Sequence, residues 1–367
     1  MNKTLFSEID IAALQSLNAS RAFFASFQNK CRHFLDITPF MGISYSLVAV
    51  MGLLGNLSLI YVICRQKQKG NVTYVLIANL AFSDLLVCIF SLPFTIVYTV
   101  MDYWIFGLGL CKIINFVMCA SFTVSPLILV LIAFERYQLI LHPTGWKPSV
   151  PQAYIAVLIV WCLASLVALP LVFSMVLTGI SHTNISKVFD FLADKQLCKE
   201  SWASEQQRMA YTITLLLLQY IIPLCIILGC YFHISLHLQR RGALFRRRDT
   251  HMRRVNLMLA SMVGAFAICW LPLNIFNSIT ELDLLPISVC YHDLIFSLCH
   301  LLAMISICIN PVIYGLLNNN VKSEFKLLVQ SCTGRKKKFS QVLENLESHP
   351  LSITAGSPRT YYKEEGC

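Results

Sequence analysis

Seven long segments of the chain carry almost no charged side chains, and this pattern limits the folds open to it. The segments are 37–64, 70–101, 113–134, 148–186, 209–239, 255–280 and 294–321, of which the second is interrupted only by Asp84. A helix needs about 20 residues to cross about 30 Å of hydrocarbon, so each segment is long enough to span a membrane. Because the bilayer interior offers no water to pair with backbone groups, we expect seven helices.

The composition supports the same fold class, an all-α membrane protein. Of the 367 residues, 56% are hydrophobic and only 13% are charged, which is too apolar for a soluble domain with a polar exterior. We predict an extracellular segment at 1–36 and a transmembrane domain at 37–318. The first 36 residues show no basic start followed by a compact apolar core, so we expect no cleavable signal peptide.

The distribution of basic residues predicts the orientation. Basic clusters follow the first, fifth and seventh segments, at 64–69, 237–254 and 334–338. By the positive-inside rule, the amino terminus is extracellular and the carboxyl terminus cytoplasmic, as in a multi-pass protein of the plasma membrane. The net charge of +10 therefore reports orientation, and we expect no nucleic-acid partner because the basic residues flank helices.

This orientation predicts which glycosylation sequons are modified. Glycosylation sequons begin at Asn2, Asn18 and Asn184 on the outer side, whereas those at Asn56 and Asn71 should stay unmodified.

Four cysteines lie on the outer side, where disulfides form: Cys31, Cys111, Cys198 and Cys290. Four cysteines allow three pairings. We favour Cys111 with Cys198, which leaves Cys31 to pair with Cys290.

The segment after the last apolar run predicts a short amphipathic helix at 319–330 on the inner leaflet, because Val321, Phe325 and Leu328 fall on one helical face. Cys332 at its end is either palmitoylated or a free thiol. The tail at 331–367 has too few apolar side chains to fold, and its Ser and Thr residues can accept phosphate.

Asp84 is the only acidic or basic residue well inside a segment, and such a residue indicates function because burial of its charge is costly. Asn56, Ser125 and Asn310 lie at matching depths. Their oxygens and the carboxylate either bind Na⁺ or hydrogen-bond to a protonated Asp84. Apart from this allosteric Na⁺, we expect no cofactor.

Motifs in each segment, taken in order, resemble those of the rhodopsin-like G protein-coupled receptors over about residues 40 to 330. They are Gly55-Asn56, Asp84 in "LAFSD", Cys111, Glu135-Arg136-Tyr137, Trp161, Pro223 with Tyr231, Trp270 and Pro272 in "CWLP", and Asn310 to Tyr314 in "NPVIY". Longer stretches, such as "ERYQLILHPTGWKPS" and "LCHLLAMISICINPVIYG", are similar to the neuropeptide Y receptors. The second outer loop is most similar to the branch that prefers pancreatic polypeptide.

This resemblance implies a receptor, not an enzyme, for C-terminally amidated peptides of the neuropeptide Y, peptide YY and pancreatic polypeptide type. It implies an inhibitory heterotrimeric G protein that lowers cyclic AMP, with arrestin, a receptor kinase and membrane lipid as further partners. Glu281 stands where the family places an acidic partner for the peptide's arginine. The other implied ligand-binding residues are Tyr98, Phe276, Asn277 and His300.

The same resemblance assigns an activation switch to the inner half of the bundle. Glu135 restrains Arg136 until the sixth segment moves outward, and Met252 stands where some relatives place an acidic latch. The remaining switch residues are Tyr137, Tyr231, Trp270, Asn310, Pro311 and Tyr314.

Two positions depart from the family pattern. Met118 stands where relatives carry Gln in the ligand pocket, and a thioether is a poor acceptor and no donor. Pro126 stands where they carry an aliphatic residue that helps to transmit activation, so we expect a kinked third helix and altered signalling. These departures motivate an alternative, a peptide-binding decoy with weak or no signalling. A small-solute transporter or channel is disfavoured because we see no duplicated halves.

Overall fold

The computed structural model describes residues 37–65, 71–179, 196–240, 246–282 and 289–317. Seven of its helical segments are long and apolar enough to cross a membrane, which confirms the expected fold class. We number them spans one to seven. We use "outer" and "inner" for the two sides that the distribution of basic residues assigns.

Span one is Thr38–Arg65, span three is Gly107–Leu141 and span four is Val150–Ser174. Span two consists of Val72–Phe90 and Leu92–Met101, which meet at Ser91. Span five consists of Glu205–Leu216, a π-helical turn at Leu217–Ile221, and Ile222–Arg240. Spans six and seven belong to the helices Arg246–Glu281 and Val289–Leu317.

Helix starts follow local capping signals. The side chain of Asn71 accepts a hydrogen bond from the backbone N–H of Thr73 at 3.0 Å and so begins span two. Ser149 and Gln152 form a capping box at the start of span four, and Ser204 caps span five through the N–H of Gln207 at 3.2 Å. Each cap satisfies a backbone donor that the first helical turn leaves free.

The run at 148–186 is longer than the helix it contains, because span four ends at Ser174 and a strand follows. Strand β1 (Met175–Gly179) pairs antiparallel with β2 (Gln196–Glu200), with Leu177 opposite Cys198. Absence of charge cannot distinguish a membrane helix from an apolar strand that continues from it. The backbone N–H of Trp104 also donates to the carbonyl of Gln196 at 2.7 Å, so the hairpin lies against the connection between spans two and three.

Spans two and three form the centre of the bundle. More than half of the residues in their most apolar stretches are buried, whereas each of the other spans buries a third or less of its own. Surfaces that are both apolar and exposed on spans one and four to seven are suited to lipid. Asp84 of span two and Glu135 of span three, both buried, therefore lie inside the bundle.

Candidate functional site

An ion pair at the inner end of span three is joined to span two through one hydroxyl. Arg136 Nη2 lies 3.4 Å from Glu135 Oε2, and the carboxylate is buried. Thr73 Oγ1 lies 2.8 Å from both carboxylate oxygens of Glu135. The same hydroxyl oxygen accepts a hydrogen bond from Arg136 Nη2. Glu135, Arg136 and Thr73 thus form one polar cluster, which we call the inner lock.

Thr73 was not identified from the sequence. A threonine in the first turn of a helix has many ordinary uses, and only packing of span two on span three brings it to Glu135. Its position is fixed locally as well, because Asn71 caps the helix at the backbone N–H of Thr73. A charge-assisted bond of this kind stabilises the arrangement more than a bond between neutral groups does.

The tyrosines expected in the switch surround this lock. Tyr137 places its ring 6.0 Å from that of His142 and 6.3 Å from that of His233. Tyr231 packs against the apolar cluster of Ile140, Ile234 and Leu238 between spans three and five, and Tyr314 is buried. The side chain of Met252, the expected latch position, lies outside the described residues.

Three of the intramembrane polar residues line one small cavity, whereas Asn56 contacts the carbonyls of Gly52 and Ile307 instead. Asn310 Nδ2 donates to Asp84 Oδ2 at 2.9 Å, and Ser83 Oγ lies 3.3 Å from Ser125 Oγ. Asp84, Ser125 and Asn310 line a cavity of about 20 Å³, which is large enough for one water-sized species. One carboxylate and neutral oxygens at such a cavity fit a small hard cation, and they equally fit hydrogen bonding to a protonated Asp84.

Above this cavity, Trp270 links spans three, six and seven. Its indole N–H donates to Ser306 Oγ at 3.2 Å, and its ring meets that of Phe122 edge to face at 4.7 Å between centroids. Trp270 and Ser306 also line the cavity that Asp84 lines. A displacement of Trp270 would therefore disturb the polar residues below it.

The proline in span seven has a specific compensating partner. Pro311 has no N–H to donate to the carbonyl of Ile307 four residues earlier. That carbonyl instead accepts from Asn56 Nδ2 at 3.1 Å. Span one can approach so closely because Gly55 has no Cβ. A Cβ at this position would lie only 2.8 Å from Cγ of Pro311. In the pair Gly55-Asn56, the glycine thus allows close contact with Pro311, and the asparagine bonds to the carbonyl that the proline leaves free.

Pro126 is buried within span three, and the helix is continuous through it from Gly107 to Leu141. The proline therefore does not end the span, and the kink itself stays a prediction. One turn earlier, the carbonyl of Ser121 accepts from Ser83 Oγ at 3.0 Å and from Ser125 Oγ at 3.2 Å. Neighbouring hydroxyls thus hold the backbone of span three near the position where its ladder of hydrogen bonds is interrupted.

A second link that sequence reasoning missed joins spans three and five. Gln219 lies in the π-helical turn before Pro223, and its Nε2 donates to Thr123 Oγ1 at 2.8 Å. The same nitrogen lies 3.5 Å from the carbonyl of Cys119, the residue after Met118. An amide of span five therefore contacts span three at Cys119 and Thr123.

The outer end holds the residues expected to bind ligand. Phe276 lies 6.1 Å from Phe296, which stacks on His300 at 5.8 Å. His300 Nδ1 lies 2.8 Å from the hydroxyl of Tyr45 in span one. Phe276 and His300 therefore share one aromatic cluster.

The other expected ligand-binding residues are more dispersed. Tyr98 contacts Trp104 instead, at 6.2 Å between ring centroids. Met118 and Asn277 are partly buried on spans three and six. Glu281 already holds a partner: Arg208 Nε donates to Glu281 Oε1 at 3.0 Å.

Comparisons with known proteins agree with this architecture. The family described as 7 transmembrane receptor (rhodopsin family) matches residues 55–314. Neuropeptide Y receptor type 4-2 of Homo sapiens is 49% identical over 332 residues, covering 89% of this chain and 87% of the relative. Neuropeptide Y receptor type 4 of Mus musculus is 46% identical over 91% of this chain and 90% of its own length. Neuropeptide Y receptor type 6 of Oryctolagus cuniculus is 44% identical over 79% of this chain and 80% of its own length.

The chain belongs to the neuropeptide Y receptors. It is a multi-pass membrane receptor for a peptide and not an enzyme, as the resemblance implied. The favoured disulfide is confirmed as well, since Cys111 at the outer end of span three is bonded to Cys198 in β2. This bond anchors the outer hairpin of the receptor over the end of the helix that carries Met118.

Several expectations for this receptor fall outside the described residues. They concern Asn2, Asn18, Asn184, Cys31, the side chain of Cys290, the helix at 319–330, Cys332 and the tail at 331–367. These stay predictions.

Proposed function

We propose that this neuropeptide Y receptor binds C-terminally amidated peptides of the neuropeptide Y, peptide YY and pancreatic polypeptide type at its outer end. The observation that carries the proposal is the contact of Glu281 with a guanidinium nitrogen at 3.0 Å. The carboxylate is only 14% exposed, so it is oriented and partly desolvated for a charge-assisted hydrogen bond with arginine. Peptides that end in an arginine beside an aromatic amide supply that group.

The aromatic cluster of Phe276, Phe296 and His300 offers an apolar surface for the aromatic amide. Asn277 lies four positions before Glu281 on the same helix, so it lies one turn deeper and can donate to or accept from the amide. Met118 can contribute only apolar contact. Tyr98 packs against Trp104 at the outer end of span two, and the peptide contacts it there.

Signalling proceeds as a shift between two populations of the bundle. Peptide contacts on span six displace Trp270, which packs on Phe122 and donates to Ser306. The inner ends of the spans then separate. Arg136 leaves Glu135 and Thr73, gains Tyr231 as a neighbour and contacts an inhibitory heterotrimeric G protein. The result is a fall in cyclic AMP.

We further propose that the receptor lies in the plasma membrane with its amino terminus outside. Arrestin and a receptor kinase act on the cytoplasmic tail, and anionic lipid contacts the basic inner rim. Na⁺ binds at Asp84, Ser125 and Asn310 and stabilises the closed bundle.

The decisive experiment exposes cells that express the chain to a panel of amidated peptides and measures both peptide binding and cyclic AMP. We expect inhibition, with pancreatic polypeptide effective at a lower concentration than neuropeptide Y. Untransfected cells and peptides with a free C-terminal acid are the controls. Binding of none of these peptides at confirmed surface expression would contradict the proposal.

A second candidate function rests on Pro126, which is buried in span three between the peptide site and the inner lock. If this proline uncouples the two ends, the chain is a decoy that binds peptide without signalling. Binding and cyclic AMP measured in the same cells separate the two functions. Saturable binding with silent cyclic AMP and no arrestin recruitment favours the decoy.

A further inference from the structure

The outer ends of spans five and six are joined by an ion pair that the sequence did not reveal. Arg208 is the fourth residue of the helix that begins at Glu205, and Glu281 is the last residue of the helix of span six. Arg208 Nε lies 3.0 Å from Glu281 Oε1. The side chain of Arg208 is 48% exposed, whereas that of Glu281 is 14% exposed.

Each of these charges lies at the unfavourable end of its own helix. A helix amino terminus carries partial positive charge and its carboxyl terminus partial negative charge. Arg208 lies in the first turns of span five, and Glu281 ends span six. The two side chains therefore offset each other's unfavourable helix-end electrostatics, and loss of Arg208 without replacement leaves Glu281 uncompensated.

The geometry of the pair leaves room for a stronger partner. The described contact is one N–H···O bond through Nε, whereas a guanidinium can grip a carboxylate with two parallel bonds. An incoming arginine can therefore form two bonds where Arg208 forms one. Since Arg208 is half exposed, it can return to water at little cost when it is displaced.

We infer that Arg208 is a tethered competitor that occupies Glu281 until an arginine of the peptide replaces it. The inference rests on the proposed function, because it takes Glu281 as the peptide's arginine site. Arg208 thereby lowers the affinity of every ligand whose cation must displace it, and by one common factor, because only receptor with a free Glu281 can bind such a ligand. A ligand guanidinium that binds with two bonds is preferred over a ligand ammonium, a point charge, by Glu281 itself.

The test measures equilibrium binding at matched surface expression for three variants, Arg208→Gln, Glu281→Gln and the double variant. The probes are an amidated C-terminal peptide that carries arginine and two analogues with Gln or Lys at that arginine. Lys199→Gln is the control, because Lys199 is an exposed cation on β2 whose loss changes the outer charge equally. Arg208→Lys is a second variant that keeps the charge if Arg208→Gln reaches the surface poorly.

For Arg208→Gln we expect the arginine peptide to bind about twofold to fivefold more tightly, the range for release of one exposed ion pair. The Lys peptide should gain by no more than the same factor, because the fraction of receptor with a free Glu281 is common to both ligands; the preference for arginine over lysine should therefore not fall. The Gln analogue should change no more than it does in Lys199→Gln. With Glu281→Gln in the background, the gain should disappear.

The outcomes separate the inference from the proposed function. If wild type binds and Glu281→Gln weakens the arginine peptide, but Arg208→Gln leaves or lowers its affinity, the inference is wrong. An equal gain in Lys199→Gln also overturns it, because the effect would then be long-range charge alone. If Glu281→Gln affects arginine and Gln peptides equally, the arginine site itself is misplaced, and the proposed function fails in that part.

Discussion

The hydroxyl of Thr73 joins the Glu135–Arg136 ion pair of the inner lock to span two, so we expect Thr73→Val to raise signalling in the absence of peptide. Valine has nearly the shape of threonine and fits the buried site of Thr73. It removes the hydroxyl that donates to Glu135 at 2.8 Å and accepts from Arg136. The backbone N–H of Thr73 and its cap from Asn71 stay in place.

The size of the effect follows from the kind of bond that is lost. A hydrogen bond to a charged group contributes about 1.5–3 kcal/mol. If the open bundle lacks this bond, the ratio of open to closed receptor rises at least about tenfold, since about 1.4 kcal/mol corresponds to a factor of ten. A receptor that is about 1% open would become about 10% open.

Basal cyclic AMP, measured without peptide and at equal surface expression, checks this. Thr73→Ser keeps the hydroxyl and should behave like wild type. Thr95→Val is the matched control, because among the described residues Thr95 Oγ1 bonds only to the carbonyl of Ser91, four residues earlier in span two, at 3.0 Å. Basal signalling of Thr73→Val equal to that of Thr95→Val would refute the role of the hydroxyl in the lock.

Four further predictions concern other parts of the receptor. Glu135→Gln should also raise basal signalling, because the neutral amide loses the ion pair with Arg136; unchanged basal cyclic AMP at equal surface expression counts against it. Asp84→Ala should abolish the effect of Na⁺ on agonist affinity, and a native receptor that shows no Na⁺ dependence excludes the cation site. Pro126→Ile restores a helical hydrogen bond, a change of about 3 kcal/mol in helix preference, and should alter basal or agonist-stimulated cyclic AMP; identical expression and signalling would show that the proline is merely tolerated. Mass spectrometry should find glycan on Asn184, on the outer side, and none on Asn71, on the inner side; a glycan on Asn71 would show that the proposed orientation is wrong.

Sequence reasoning succeeded where a residue type has one dominant use in its setting. The seven spans were predictable because charge is costly in hydrocarbon, and Asp84 stood out for the same reason. The pairing of Asp84 with Asn310 was expected from matching depth and is observed at 2.9 Å. The Cys111–Cys198 disulfide was favoured among the possible pairings, and the structure confirms it.

The residues that reasoning missed are ordinary in their local setting. Thr73, Arg208 and Gln219 have side chains that are common at helix ends and on helix faces, and their meaning comes from what they touch. Thr73 reaches Glu135, Arg208 reaches Glu281 and Gln219 reaches Thr123 across helix interfaces. The charge-free run also left the end of span four undetermined, because the apolar strand β1 continues it beyond Ser174.

The sequence by itself determined the seven-helix fold, the expected orientation and the receptor family, because each depends on local composition or on motifs read in order. A membrane permits backbone groups to pair only within the helix, so an apolar run fixes its own secondary structure. Contacts between helices have no such local rule. Tertiary structure therefore decided that one hydroxyl joins Glu135 to span two, and that an internal arginine already holds the carboxylate expected to bind ligand.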